Sequence, residues 1–202
     1  MKDSENAETL SLSLLQAGDR AEIARMVDEH STKIYRLGLK MLSNEQDAED
    51  VLQNTFMKAI QALPDFEGRS SVSTWLYRIA VNESLMLLRQ RKPELNLAPE
   101  LDDDETGELT LTQFTDWCCL PESELISSEA QSYLDEAVQT LSEKLRVVFI
   151  LRDIEKLSIR ETSEALDISE SAVKTRLLRA RLQLRELLST YYENRLRTEN
   201  KA

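Results

Sequence analysis

Five cations, Lys174, Arg176, Arg179, Arg181 and Arg185, stand in a stretch where a lone distal acid, Glu186, opposes them. Between them run Val173, Leu177, Ala180 and Leu184 at helical spacing, so a helix here buries the apolar stripe and presents the cations together with Thr175. Just before it, Ser158-Ile159-Arg160-Glu161 has the spacing of a capping box, in which Ser caps the third amide and Glu reaches back. That shorter helix ends at Leu166, Asp167-Ile168-Ser169 makes a three-residue turn, and Ser169 can cap the basic helix. Two helices across such a turn form a helix-turn-helix, whose second helix enters the major groove of DNA. Long cations there reach guanine acceptors or phosphates, and Thr reaches either. The plain alternative is an amphipathic helix with a solvated basic face, for which this excess of one sign is more than solubility requires.

A second constellation runs from Phe66 to Lys92. The loop Phe66-Glu67-Gly68-Arg69-Ser70-Ser71 leads into a helix carrying Trp75, Tyr77, Arg78, Asn82, Arg89, Arg91 and Lys92. Aromatic rings stack on splayed bases while cations follow the backbone, the chemistry of single-strand capture. Taken singly, Phe66 and Trp75 are each more at home in a core. A third stretch, Asp47 to Asn54, leaves Asp50, Gln53, Asn54 and Met57 on its outer face, a mixed surface suited to another helical protein or simply to solvent.

The elements that must position these residues are helices. Only four glycines and four prolines occur among 202 residues, too few for the turns of a β fold, and the dominant residues favour helix. The expected fold class is all-α: an N-terminal helical bundle over 1–92, an acidic linker over 93–124 and a C-terminal four-helix domain over 125–202. Gly18-Asp19 and Ser43-Asn44 read as stop-and-restart signals, with Ile23, Met26, Val27, Ile34, Leu37 and Met41 periodic between them. A helix from Glu45 to Leu63 puts Ala48, Leu52, Phe56 (or Thr55), Ala59 and Leu63 inward, and Pro64 ends it. The next, from Ser73 to Arg91, shows Trp75, Ile79, Asn82 or Glu83, and Met86 on successive turns.

The net charge of −12 is unpromising for a nucleic-acid binder until its distribution is examined. From Pro93 to Glu129 there are eleven acids and no Lys or Arg, and the remainder holds 26 acids against 25 bases. The acidity sits in the middle; local basic stripes decide phosphate contact. No apolar run nears the ~20 residues of a membrane span and the first residues are polar, so a cytoplasmic protein without membrane insertion is expected. Cys118 and Cys119 are adjacent, and the single histidine, His30, is distant, so reduced thiols, a surface imidazole, no metal and no cofactor are expected. Neither a glycine-rich phosphate loop nor a catalytic pairing occurs, so the chain is not read as an enzyme.

Together the three constellations resemble one family. Phe66-Glu-Gly-Arg-Ser-Ser-Val-Ser-Thr-Trp-Leu-Tyr-Arg-Ile-Ala-Val-Asn82 is similar to the promoter-melting stretch of the extracytoplasmic-function sigma factors of RNA polymerase. Asp47-Ala-Glu-Asp-Val-Leu-Gln-Asn-Thr-Phe56 is similar to their polymerase-binding helix. Arg146-Val-Val-Phe-Ile-Leu-Arg152, Leu157-Ser158 and Ala172-Val-Lys-Thr-Arg-Leu-Leu-Arg-Ala-Arg181 are similar to their C-terminal DNA-binding domain. The resemblance implies that Asp50, Gln53 and Asn54 meet the clamp of the large subunit of core RNA polymerase. It implies that Phe66, Ser70 and Asn82 hold an unstacked base of the minus-ten element, with Trp75 supporting the loop and Arg78 near the backbone. It places Ser171, Lys174, Thr175, Leu178 and Arg179 at the minus-thirty-five element, with Arg176 and Arg181 nearer phosphates. Double-stranded and melted promoter DNA and an anti-sigma factor are the implied partners, the function promoter-specific transcription initiation in a stress response, and the linker an acidic strap toward the polymerase cleft. A helix-turn-helix regulator acting without polymerase is the alternative; it leaves Phe66 to Asn82 unexplained.

Three positions depart from the family's habit. Ser142 stands where Pro is common and is expected to cap in its place. Asp167 stands where Gly is common and tolerates left-handed geometry. Met86 stands where an acid is usual. If Arg179 makes a bidentate base contact, Arg179→Ala lowers promoter discrimination by about 1–3 kcal/mol. Run-off transcription on matched promoters measures it, and an unchanged preference removes Arg179 from the readout.

Overall fold

The computed structural model describes residues 10–91 and 128–199. Every regular element among them is helical. Helices α1 (Leu12–Gln16), α2 (Arg20–Leu42), α3 (Glu45–Ala62) and α4 (Val72–Arg91) form one bundle, with a 3₁₀ turn at Leu63–Asp65 between α3 and α4. Helices α5 (Ser128–Thr140), α6 (Glu143–Phe149), α7 (Ile159–Leu166) and α8 (Glu170–Glu199) form a second, and the end of α6 widens into a π-helical turn at Ile150–Ile154. The expected linker, with Cys118 and Cys119, lies outside the described residues.

Polar side chains fix the helix starts. Asp19 accepts from the Glu22 amide and Asn44 from the Asp47 amide. Ser43 and Asp167 close their helices in left-handed geometry, at φ 51° and 56°, which a short polar side chain bears better than a branched one. Ser158 and Glu161 complete the capping box, and these hydrogen bonds hold the Glu161 carboxyl below its ordinary pKa. Ser142 behaves otherwise. It occupies the position before α6, but its side chain caps nothing; its carbonyl accepts from the Leu145 and Arg146 amides.

The cores are apolar and close to the expected stripes, with two corrections. On α4 the buried residues are Thr74, Leu76, Tyr77, Ala80, Val81, Glu83, Ser84 and Leu88. Trp75 and Ile79 are half-buried and Asn82 and Met86 exposed, so the row read from Trp75 to Met86 is the outer edge of the helix. His30 is 5% exposed within α2 and is not a surface imidazole. Burial, the dominant cause, lowers its pKa below the ordinary 6.5.

The two bundles pack on one another. α7 lies along α4, while α5, α6 and the π-turn meet α2. Beside a shared apolar cluster, the contact carries several polar links. Arg36 donates to both oxygens of Glu155, at 2.7 and 3.0 Å, and the Tyr77 hydroxyl donates to the same carboxylate at 2.8 Å. The Glu155 side chain is 1% exposed, so it is taken out of water and held by donors from the other bundle. Burial and this bond keep the Tyr77 phenol protonated far above its usual range. Arg146, 8% exposed, donates to the carbonyls of Met41 at 2.9 Å, Gln139 at 2.5 Å and Leu141 at 3.0 Å, joining α2 to the α5–α6 corner. Lys40 pairs with Asp135, and the Gln139 amide donates to the Lys40 carbonyl at 2.6 Å.

Two expectations follow. His30 accepts a proton less readily in the folded than in the unfolded chain, so the residue costs nothing above the imidazole range and destabilises the fold as pH drops through about 6.5. Denaturant unfolding at neutral and mildly acidic pH should show part of the acid loss vanish in His30→Leu; equal losses in both proteins overturn this. Removing Glu155 strands the Tyr77 hydroxyl, and an orphaned buried donor costs about 1–3 kcal/mol. A double-mutant cycle on Glu155→Gln and Arg36→Ala should show coupling above about 0.5 kcal/mol, and strict additivity would mean the pair carries nothing.

Candidate nucleic-acid and polymerase interfaces

The loop before α4 is built around an aromatic stack. Leaving the 3₁₀ turn, Phe66 adopts extended backbone and its amide donates to the Leu63 carbonyl at 3.2 Å. Its ring, 8% exposed, lies on Trp75 with centroids 4.4 Å apart and planes 22° from parallel. Trp75 is thereby fixed on the first turn of α4, and Arg78 and Asn82 follow on the next two turns, both exposed. Ser71 caps α4, its hydroxyl oxygen accepting from the Thr74 amide at 3.0 Å, while the Ser70 hydroxyl turns toward the Ser71 carbonyl. Phe66 and Trp75 are thus brought together, and Arg78 and Asn82 extend the same helix side. Arg78 also lies 3.6 Å from Asp167, the residue that turns between α7 and α8.

In the second bundle, α8 buries Val173, Leu177, Ala180 and Leu184 as its periodicity requires. The Ser169 hydroxyl accepts from the Ala172 amide at 3.2 Å, and Ser163 donates to the Ile168 carbonyl at 2.5 Å, fixing the turn from α7. This leaves Ser171, Lys174 and Thr175 exposed on the first turns of α8 and Arg176, Leu178 and Arg179 half-buried beside them. Arg181 differs from expectation. Its Nε and one terminal nitrogen donate to the two oxygens of Asp153 at 2.9 and 2.6 Å, and that hydrogen bonding raises its pKa. The fork that was read as facing phosphate is used instead to tie α8 to the π-turn.

On α3, Asp50 and Gln53 are exposed and Asn54 half-buried. The face continues into two apolar side chains, Met57 at 52% and Ile60 at 41% exposure. Ile60 is an addition to the face read from sequence. Behind it, Lys58 donates to the buried Glu83 of α4 at 2.5 Å, and Arg91 pairs with Asp47, so α3 and α4 are pinned at both ends. The polar links across the bundle contact, Arg36 to Glu155 and Arg146 to the Met41 carbonyl, join residues distant in sequence, and no local pattern marks them. Among the described residues no cluster of His, Cys, Asp or Glu could hold a metal ion, and no helix is long and apolar enough to cross a membrane.

Two family models match the chain: Sigma-70 region 2 over residues 26–94 and Sigma-70 region 4 over residues 131–184. The first therefore covers α3, the loop and α4, and the second the helix-turn-helix. The ECF RNA polymerase sigma factor SigW of Bacillus subtilis is 36% identical over 174 residues, 86% of this chain and 92% of that protein. The ECF RNA polymerase sigma-E factor of Haemophilus influenzae is 32% identical over 171 residues, 83% and 87% of the two chains. Among solved structures, the sigma factor RpoE of Bartonella quintana in complex with the anti-sigma factor NepR superposes with a TM-score of 0.60 at 25% identity, over 84% of this chain and 96% of that one. CnrH in complex with the cytosolic domain of CnrY shares the fold, with a TM-score of 0.65 at 23% identity over 89% and 95%. Having both regions in this order and relatives matched along most of their length, the chain belongs to the extracytoplasmic-function sigma factors of the sigma-70 family.

Proposed function

We propose that the chain mounts on the clamp of core RNA polymerase through the outer face of α3, reads the minus-thirty-five element with the start of α8, and captures the melted minus-ten strand beside Phe66 and Asn82. The observation that carries this reading is the Phe66–Trp75 stack at the head of α4. It fixes a partly exposed aromatic floor one and two turns from an exposed cation, Arg78, and an exposed amide, Asn82. A base leaving the duplex finds a ring to lie on, a hydrogen-bonding group for its edge and a cation for its backbone.

On α8, Lys174, Thr175 and Arg179 supply the base-edge chemistry, with Ser171 and Leu178 beside them and Arg176 toward the backbone. Arg181 acts through Asp153, holding the helix at its angle. Asp50, Gln53 and Asn54 form the polar part of the polymerase face, and Met57 and Ile60 its apolar part. The protein works in the cytoplasm without a catalytic step of its own; base pairs open because the unstacked state is bound more tightly.

An anti-sigma factor is the natural regulator. Sigma factor RpoE of Bartonella quintana was solved with one, and the bundle contact in this chain is the arrangement such a partner would hold. With α7 along α4 and Arg78 beside Asp167, the minus-ten and minus-thirty-five surfaces are tied together, whereas a promoter presents its two elements well separated. Opening the Arg36–Glu155–Tyr77 contact therefore precedes promoter engagement.

Reconstitution with core polymerase and sequencing of transcript starts should reveal one recurrent pair of upstream elements. Met57→Ala with Gln53→Ala should weaken core binding by about tenfold or more, since truncation at the centre of an interface, where the few energetic hot spots lie, costs about 2 kcal/mol or more, and should leave the melting temperature near that of the parent. Failure of the folded, inhibitor-free protein to associate with core polymerase refutes the reading.

A further inference from the structure

The short helix α1 lies in front of the region 2 match and touches the loop that the proposed function makes the strand-capturing element. Leu15 of α1 is fully buried, so the helix is part of the first bundle. Its position is set at both ends. The Ser11 amide donates to Glu22 of α2 at 2.5 Å, and Asp19, one residue beyond Gly18, caps α2.

Two contacts pass from α1 to the loop. The Gln16 side-chain amide donates to the Phe66 carbonyl at 2.9 Å, a bond spanning fifty residues of chain. Leu12 lies over Gly68, so close that a Cβ built on that glycine would come within 2.7 Å of the Leu12 Cδ2. Gly68 also takes φ +68°, a conformation that side chains rarely bear. The loop thus reverses direction at a glycine whose φ strains any side chain, with the tip of Leu12 lying over it, and Gln16 holds the carbonyl of Phe66 ahead of the reversal. Phe66, whose ring meets Trp75, is gripped on its backbone by one helix and on its ring by another.

We propose that α1 is a positioning element for promoter opening: Gln16 and Leu12 hold the Phe66–Ser71 loop in its strand-receiving shape before DNA arrives, without touching DNA. Ordering a loop in advance removes that entropic cost from the capture step. Residues that grip the loop from behind therefore tune how readily the melted strand is held, while leaving the α3 face and the α8 groove-reading face as they are. The proposal rests on the reading of the Phe66 loop as the capture site.

The test uses holoenzyme assembled from core polymerase and the full chain, as parent, Gln16→Ala, Gln16→Glu and Asn82→Ala. The probe is the single-stranded non-template strand of a promoter found by transcript-start mapping, and affinities for core polymerase and for the duplex upstream element are measured alongside. Gln16→Ala should weaken single-strand capture by about two- to tenfold, the span expected of one ordinary hydrogen bond. Gln16→Glu, which sets an acceptor against the Phe66 carbonyl, should weaken it more. Core and duplex affinities should stay at the parental level in both. Capture unchanged in both Gln16 variants while Asn82→Ala loses it overturns the role of α1 and leaves the capture site standing. Capture unchanged in Asn82→Ala as well sinks the capture site itself. Parallel loss of core affinity and capture in the Gln16 variants reduces α1 to a part of the bundle's stability and also overturns the proposal.

Discussion

A carboxylate that is almost wholly removed from water must find its solvation inside the protein, and Glu155 finds it across a bundle boundary. Its side chain is 1% exposed, and the donors that satisfy it, Arg36 and Tyr77, belong to α2 and α4, while Glu155 follows the π-turn after α6. Breaking such a pair leaves an uncompensated charge, whereas exchanging both partners for solvent or for another protein costs far less. The bundle contact is therefore conditional. It stands while the groups face each other and can be given up as a unit when both sides are rehydrated. Arg146 follows the same logic with carbonyls in place of a carboxylate, and burial lowers its pKa accordingly.

That constraint explains why α4 is built as it is. One helix must serve four neighbours: α2, α3 through Lys58–Glu83, α7 on the side of Tyr77 and Arg78, and the Phe66 loop through Trp75. A helix so occupied has no single apolar stripe. Its core face carries Thr74, Glu83 and Ser84 among the aliphatics, and each finds a partner: Ser71 for Thr74, Lys58 for Glu83 and the Ala80 carbonyl for Ser84. The aromatic row that looked like a core stripe is the border between bundle and loop.

The legible parts of the sequence were those where structure is local. Caps at Asp19, Ser158 and Ser169, the left-handed end at Asp167 and the break at Ser43-Asn44 are decided within a few residues, and the chain states them directly. The buried stripe of α8 was equally plain, because its core residues are all apolar and its remaining faces carry the cations. What escaped was whatever depends on a partner far along the chain. Arg181 looked like one more phosphate contact until Asp153 was placed against it; His30 looked solvated because nothing local says what covers α2. Nothing local marks Glu155 and Arg146 for burial in a 31% charged chain. The α4 residues stand out in the sequence through their wording as a motif; that Phe66 and Trp75 stack on each other is visible only in the structure.

The same reasoning sets the strength of the closed arrangement. The polar part of the contact, ion pairs and carbonyl acceptors with the Arg36 side chain 46% and that of Lys40 20% exposed, has the character of an interface between domains more than that of a core. Exposed pairs contribute little each, and the buried ones roughly offset their own desolvation. The bundles, by contrast, are held by Leu15, Met26, Ile34, Leu37, Leu76, Ile150, Leu151 and Leu184, all nearly devoid of solvent contact. The buried apolar residues of both bundles form one continuous cluster, so the hydrophobic term holds each bundle and runs on across the seam, with the polar contacts standing beside it. The polar contacts facing across the seam are the part of it that water can replace, because a group rehydrated on opening recovers hydrogen bonds and a buried aliphatic does not.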